Sequence, residues 1–223
     1  MAASRAQRIG IWTIAVALTL GTIVSFVVMI VANDNAKLDE ARLNELVAEY
    51  ETDFSEYQGK IDAQARELSK VYYTDFSKYE SRVGKFSSDV SELKTEDLKA
   101  GTGEELTSES EFAAYYIGWN PTGKIFDSSI NKEEKLLAPP LSAGPGGVIS
   151  GWTDGVDGMK VGGVRELTIP ADLAYGESGM GEDIPPNTPL KFVIMVIPTP
   201  EEIPYPQPSE ELIRLYQRYQ GGY

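Results

Sequence analysis

Cysteine and histidine are both absent from the 223 residues of the chain. Without cysteine the protein can form no disulfide and offers no thiol nucleophile. Without histidine it lacks the commonest general base and the commonest zinc ligand. We therefore expect neither a serine-protease-like triad nor a zinc site, and no metal or cofactor.

Proline is absent from the first half of the chain, since all 13 prolines lie at or after Pro121. Glycine is also sparse there, with only Gly59 and Gly84 between residues 37 and 100. A segment poor in both residues can hold long helices, whereas the rear half has the punctuation of strands and turns.

Basic residues are outnumbered, with 20 Lys and Arg against 34 Asp and Glu, a net charge of −14. Such a surface repels phosphate backbones, so we expect no nucleic-acid partner.

Residues 9–33 contain no charged side chain. At about 1.5 Å per residue, this run is long enough to cross a hydrocarbon core of about 30 Å. Arg5 and Arg8 precede it and Asp34 follows it, so the positive-inside rule places residues 1–8 in the cytoplasm and the rest of the chain outside. We therefore predict a single-pass anchor in the cell membrane. A cleaved signal peptide is the alternative, although its apolar core would normally span about 7–15 residues.

Residues 37–94 are predicted to be helical, because apolar side chains recur at heptad spacing. One set is Leu43, Tyr50, Tyr57 and Val71, and the interleaved set is Val47, Phe54, Ile61 and Leu68. The pattern favours a coiled-coil stalk that holds the following domain off the membrane and could self-associate. The alternative is a helical hairpin that packs on itself.

The chain from residue 95 has the pattern of an α+β domain. Residues 111–119, 163–169 and 190–197 are predicted strands, residues 120–123 a turn and residues 150–156 a short helix. The expected architecture is a small antiparallel sheet wrapped on a short helix, spanning residues 95–199. Residues 200–223 are a Pro-rich tail, in which Ser209 could cap a short helix.

Four motifs follow in order along this domain: Phe-Asp-Ser-Ser at 126–129, Val-Ile-Ser-Gly-Trp-Thr-Asp-Gly-Val at 148–156, Leu-Ala-Tyr-Gly at 173–176 and Ile-Pro-Pro-Asn at 184–187. Together they resemble an FKBP-type peptidyl-prolyl cis-trans isomerase, over a little under half of the chain. The resemblance implies that fold, and an enzyme that isomerises X-Pro bonds. With the predicted anchor, its expected partners are unfolded or nascent exported proteins.

The resemblance also implies a role for individual residues. Trp152 would form the floor of a pocket for the proline ring, and Asp127 would lie near the reacting amide. The Tyr175 hydroxyl and the backbone N–H of Ile149 would hold substrate carbonyls. Further residues would line the wall and entrance: Tyr116, Phe126, Val148, Ile184 and Phe192.

Some positions depart from the family's pattern. Gly147 stands where an acidic residue is common, and Met180 where some members carry a histidine. The second hypothesis is therefore a catalytically weak binding module or chaperone with the same fold. A third is a structural protein whose function lies in the stalk.

Overall fold

The computed structural model describes residues 34–220, with side chains described from residue 40 to 218. This part of the chain forms two compact units, one of residues up to 62 with residues from 202 onward, and one of residues 63–201. The predicted anchor at residues 9–33 lies outside the described residues. Within residues 34–220, no helix combines the length and apolarity that a membrane crossing requires.

The predicted short helix and the three predicted strands lie close to where the sequence places them. Within residues 34–220 the α-helices are α1 Asp34–Ser77, α2 Ser150–Val156 and α3 Glu210–Gln220. The strands are β1 Lys94–Lys99, β2 Phe112–Trp119, β3 Ile125–Ser128, β4 Ile130–Asn131, β5 Leu136–Leu137, β6 Leu141–Ala143, β7 Val164–Ile169 and β8 Leu190–Ile197. Short 3-10 turns occupy Lys78–Arg82 and Ala171–Leu173.

In the first unit, α3 packs on the first part of α1. The buried side chains of this contact are Leu43, Leu46, Val47, Leu212 and Leu215. Ser209 caps α3 as expected, because its hydroxyl accepts a hydrogen bond from the Leu212 N–H at 3.2 Å.

The Pro-rich tail also follows α1 in this unit. The ring of Tyr205 meets those of Phe54 and Tyr57 at centroid distances of 5.9 and 5.3 Å. Arg42 holds both carboxylate oxygens of Glu211 at 3.0 and 2.7 Å. The apolar seam of α1 is therefore occupied here by the chain's own C-terminal segment. The coiled coil expected from the heptad spacing is not supported, and self-association of this helix stays a prediction.

The second unit is built on an antiparallel sheet with strand order β1-β7-β8-β2-β3, and β6 also pairs with β2. Because side chains alternate along a strand, each central strand serves two apolar layers. On the inner face, the helix α2 packs against side chains such as Leu167, Phe192 and Ile194. On the outer face lie others, such as Tyr115, Ile117 and Val193. This sheet on a short helix is the expected α+β architecture.

The outer face is covered by residues 63–93, which we call the arm. Phe76, at the C-terminal end of α1, is completely buried against this face. Further contacts come from Tyr72, Tyr79, Val83 and Phe86.

Helix α1 ends at Ser77, earlier than the sequence analysis predicts. The helix expected over residues 83–94 is wrong, since this segment is largely irregular and joins the sheet as β1 at Lys94. Val83 and Phe86 of this segment pack on the outer face of the sheet and bury apolar surface there, instead of continuing a helical stripe. Leu93, just before β1, packs against the inner layer.

A buried carboxylate fixes the end of the arm to the sheet. Glu166 on β7 is 4% exposed and binds Arg82 at 2.7 Å and Lys191 at 2.5 Å. Arg82 also pairs with Glu96 on β1 at 2.6 Å. Two cations thus offset the desolvation of one buried negative charge.

Candidate active site on the inner face

Four aromatic rings from four segments meet on the inner face of the sheet. Trp152 in α2 lies edge-on to Tyr116 and to Phe192, with centroids 5.3 Å away in each case. Phe192 in turn meets Phe126 at 5.6 Å and an interplanar angle of 83°. Edge-to-face packing of this kind is the favoured arrangement for aromatic pairs. The result is a rigid aromatic floor.

Glycines allow α2 to approach the sheet closely enough to place Trp152 there. A side-chain Cβ at Gly155 would lie only 2.6 Å from the Leu167 side chain, and one at Gly151 would collide with Ile169. Any other residue at these two positions would push the helix and its tryptophan away from the sheet. The Gly-Trp-x-x-Gly spacing in the sequence thus has a local packing cause.

Aliphatic side chains surround the rings. Ile184, in the loop before β8, is fully buried in the same layer. Val148 and Ile149, which lead into α2, pack against it and are partly buried. The surface around the floor is therefore mostly apolar.

Three polar groups lie beside this layer, namely the hydroxyls of Tyr116 and Tyr175 and the carboxylate of Asp127. The Tyr116 hydroxyl donates a hydrogen bond of 2.7 Å to Oδ2 of Asp127. Burial, aided by the negative charge of Asp127, raises the pKa of Tyr175 above its usual value. Tyr175 therefore stays a neutral hydroxyl, able to donate a hydrogen bond, throughout the neutral pH range.

The structure brings all nine sequence-predicted residues to one place. Eight belong to the inner apolar layer: Tyr116, Phe126, Val148, Ile149, Trp152, Tyr175, Ile184 and Phe192. The ninth, Asp127, joins them through its hydrogen bond with Tyr116. Their separate roles toward a substrate stay predictions.

The sequence analysis missed one set of contacts at this site. Asn120 and Lys124, in the turn after β2, both contact Asp183 in the loop that carries Ile184. A hydrogen bond with Lys124 lowers the pKa of the Asp183 carboxyl. These residues are separated by about sixty positions, so no local pattern could have revealed the contact.

The site offers little acid–base or metal chemistry. In the part of the chain that the structure describes, no three acidic, histidine or cysteine side chains are grouped as a metal site would require. What the arrangement can do is bind an apolar ring on an aromatic floor and hold nearby carbonyl groups by hydrogen bonds.

Comparison with known proteins identifies this arrangement. Residues 102–197 match the sequence profile of the FKBP-type peptidyl-prolyl cis-trans isomerases. An FK506-binding protein of Neisseria meningitidis serogroup A is 40% identical over 108 residues, which cover 48% of this chain and 96% of that protein. The chain belongs to the FKBP family.

A second bacterial relative agrees with this assignment. The protein named "Probable FKBP-type peptidyl-prolyl cis-trans isomerase" in Haemophilus influenzae is 38% identical over 98 residues, 44% of this chain and 39% of that one. A solved structure of a peptidyl-prolyl cis-trans isomerase from Pseudomonas syringae is 30% identical in sequence. The match covers 60% of this chain and 92% of that one, with a TM-score of 0.42. By its family match and these sequence relatives, the chain is an isomerase of the FKBP type. The matched segment, residues 102–197, contains α2 and the strands β2 to β8, but not β1.

Proposed function

We propose that this FKBP-type isomerase acts outside the cytoplasm on X-Pro bonds of exported proteins, in an apolar pocket on the inner face of the sheet. The observation that carries the proposal is the convergence of the rings of Trp152, Tyr116, Phe126 and Phe192, with the Asp127 carboxylate held by the Tyr116 hydroxyl.

The pocket would act by desolvation. Rotation about an X-Pro bond has a barrier of about 18–20 kcal/mol, because twisting removes amide resonance. Water stabilises the large dipole of the planar amide, so an apolar site favours the twisted form relative to the planar ones. A thousandfold acceleration needs only about 4 kcal/mol of such preference. No proton has to move.

The polar groups would orient the substrate on this floor. The prolyl ring would lie against Trp152, with the substrate carbonyls held by the Ile149 N–H and the Tyr175 hydroxyl. Asp127, fixed by Tyr116, would lie beside the amide and favour its twisted form electrostatically. Ile149 and Trp152 belong to one segment at the start of α2, whereas Tyr175, Asp127 and Tyr116 come from three others, so their alignment depends on the fold.

The test compares two neighbouring tyrosines. Tyr116 faces the pocket and Tyr115 the opposite layer, and both can lose a hydroxyl without loss of the ring. With a proline-containing tetrapeptide followed by NMR exchange, we expect Tyr116→Phe to lower kcat/KM about five- to tenfold and Trp152→Ala at least tenfold. Tyr115→Phe should keep the parental value.

The same assay separates the alternative function. A protein that binds proline peptides but leaves their isomerisation rate at the uncatalysed value would be a binding module or chaperone. Equal losses in Tyr116→Phe and Tyr115→Phe would contradict the proposed pocket.

The location outside the cytoplasm is supported by the charge-free run at residues 9–33 and by Arg5 and Arg8 before it. The absence of cysteine allows a direct test in bacterial spheroplasts. A single cysteine in Glu202→Cys should react with a membrane-impermeant maleimide in intact spheroplasts. A cysteine in Ser4→Cys should react only after lysis. The reverse pattern, or labelling of neither variant before lysis, would contradict this location.

A further inference from the structure

The turn after β2 is organised by one buried amide. Asn120 is 7% exposed, and its Oδ1 accepts hydrogen bonds from the backbone N–H groups of Thr122 at 3.0 Å and Lys124 at 3.2 Å. Its Nδ2 points the other way and donates a 2.9 Å hydrogen bond to the backbone carbonyl of Asp183. A single side chain thus shapes the turn and ties it to a distant loop.

A second contact reinforces the first. The Lys124 ammonium pairs with the Asp183 carboxylate, whose side chain is only 20% exposed. Asp183 is therefore held twice from the same turn, through its main chain by Asn120 and through its side chain by Lys124. We call these two contacts the clamp.

Asp183 belongs to a compact loop that borders the pocket. Its neighbour Ile184 is fully buried in the inner layer. The Met180 N–H donates to the Ile184 carbonyl at 2.7 Å, and the Asn187 N–H to the Gly176 carbonyl at 2.7 Å. The loop of residues 176–187 is therefore internally braced, and a contact at Asp183 restrains it as a whole.

The opposite side of the turn rests on the arm. The Phe86 N–H donates to the Pro121 carbonyl at 3.2 Å, and the Trp119 indole to the Gly84 carbonyl at 3.0 Å. Gly123, with a φ of +83°, lies so close that a Cβ there would be 3.1 Å from Gly84. The turn is thus backed by the arm and cannot simply move away from the loop.

We propose that Asn120 and Lys124 are positioning residues which, through Asp183, hold the loop of residues 176–187 at the edge of the pocket. The inference rests on the proposed role of that pocket in substrate binding. Because the clamp touches the loop and not the aromatic floor, it acts on the fit of the peptide and leaves the rate of the bound state unchanged. Loss of the clamp should raise KM with little change in kcat.

The experiment uses the full-length protein and a proline-containing tetrapeptide. Asp183→Asn removes the ion pair but keeps the main-chain contact with Asn120, so it perturbs the fold least. We expect Asp183→Asn and Lys124→Met each to raise KM about threefold, with kcat within about 1.5-fold. The charge exchange Lys124→Asp with Asp183→Lys should bring KM back toward the parental value.

A matched control removes the same charge elsewhere. Lys70 pairs with Glu67 on the exposed face of α1, and Lys70→Met should leave KM unchanged. Amide hydrogen exchange gives a readout independent of activity. The Met180 N–H should exchange several-fold faster in Asp183→Asn and Lys124→Met, and at the parental rate in Lys70→Met.

Three results would overturn the inference. One is an unchanged KM in Asp183→Asn and Lys124→Met, even if Met180 exchanges faster, because the clamp would then not serve the substrate. Another is an equal rise of KM in Lys70→Met. The third is a charge exchange that fails to restore KM. Failure of the pocket itself would show differently, as full activity in Trp152→Ala.

Discussion

Tyr115 and Tyr116 are neighbours on β2, yet they serve opposite faces of one sheet. Tyr116 belongs to the inner layer and is partly buried, and its hydroxyl donates a hydrogen bond to Asp127. Tyr115 is completely buried under the arm, and its hydroxyl is the one buried side-chain polar atom without a hydrogen-bond partner within the described residues. Burial raises the pKa of Tyr115 above its ordinary value.

The difference between the two faces follows from what covers them. The arm seals the outer face, so every apolar contact there adds to stability and no substrate can enter. The inner face is covered only by α2 and loops, which leave Tyr116, Val148, Ile149 and Tyr175 partly exposed. The outer layer therefore stabilises the fold, while the inner layer leaves apolar side chains partly exposed, as the proposed substrate pocket requires.

Among the changes that distinguish the two faces, removal of the arm should have the largest effect on stability. A fragment of residues 63–201 keeps the arm and should unfold cooperatively in urea. A fragment of residues 95–201 exposes the outer face, including Ile117 and Val193, and should aggregate or lack a cooperative transition. Circular dichroism and light scattering would distinguish the two. Cooperative unfolding of both at the same midpoint would contradict the account.

Phe76→Ala tests the seal with one side chain. Phe76 is fully buried between α1 and the sheet, so its truncation should lower the free energy of unfolding by about 3–5 kcal/mol. Val71 lies on the same helix but is 66% exposed, so Val71→Ala should change the free energy of unfolding by less than about 0.5 kcal/mol. Similar losses of unfolding free energy in Phe76→Ala and Val71→Ala would mean that both changes act on the stability of the helix itself, and not on its contact with the sheet.

Glu166→Gln tests the polar attachment of the arm. The substitution leaves Arg82 and Lys191 without the carboxylate that they share, but the side chains of both cations are exposed enough to be partly hydrated. We expect a loss of about 1–2 kcal/mol in urea unfolding. Glu96→Gln removes the exposed carboxylate on the same arginine and should cost about 0.5 kcal/mol or less. Equal costs would show that burial of Glu166 is irrelevant.

The smallest expected changes in stability are those of Tyr115→Phe and Tyr116→Phe, and they should have opposite signs. Tyr115→Phe removes an unpartnered buried hydroxyl and should be neutral or stabilising by up to about 1 kcal/mol. Tyr116→Phe loses a hydrogen bond to a carboxylate and should be destabilising by about 1 kcal/mol. Thermal unfolding of the full-length variants at one pH gives both values. Destabilisation in Tyr115→Phe would imply that its hydroxyl has a partner.

Local patterns predicted the elements of the inner face well. The helix at Ser150–Val156 and the strand at Leu190–Ile197 begin and end at the predicted residues. Both carry signals confined to a few positions, namely glycine spacing around Trp152 and an unbroken apolar run in β8. The residues of the candidate site were predicted differently, because four short motifs together resemble the FKBP family and the resemblance implies their positions.

The packing on the outer face could not be predicted, because an apolar stripe on a helix does not specify which surface it packs against. The heptad spacing from Leu43 to Leu68 is an amphipathic pattern, but it fits a second helix, a tail or a sheet equally well. Val71, which the spacing assigns to the same stripe, is 66% exposed. Here the stripe packs on α3 near Leu43 and on the sheet near Phe76. The clamp at Asp183 escaped prediction for a related reason, since its members are far apart in sequence.

The pH dependence of kcat/KM tests most directly whether the inner face isomerises a prolyl bond without moving a proton. The chain has no histidine, and the pKa of Tyr175 is raised by burial and by Asp127. Its hydroxyl therefore stays protonated well above neutral pH. With the full-length protein we predict a kcat/KM that is constant within about twofold from pH 6 to pH 9. A bell-shaped profile with a half-maximal point in that range would show that a titrating group drives the reaction, and would contradict the account.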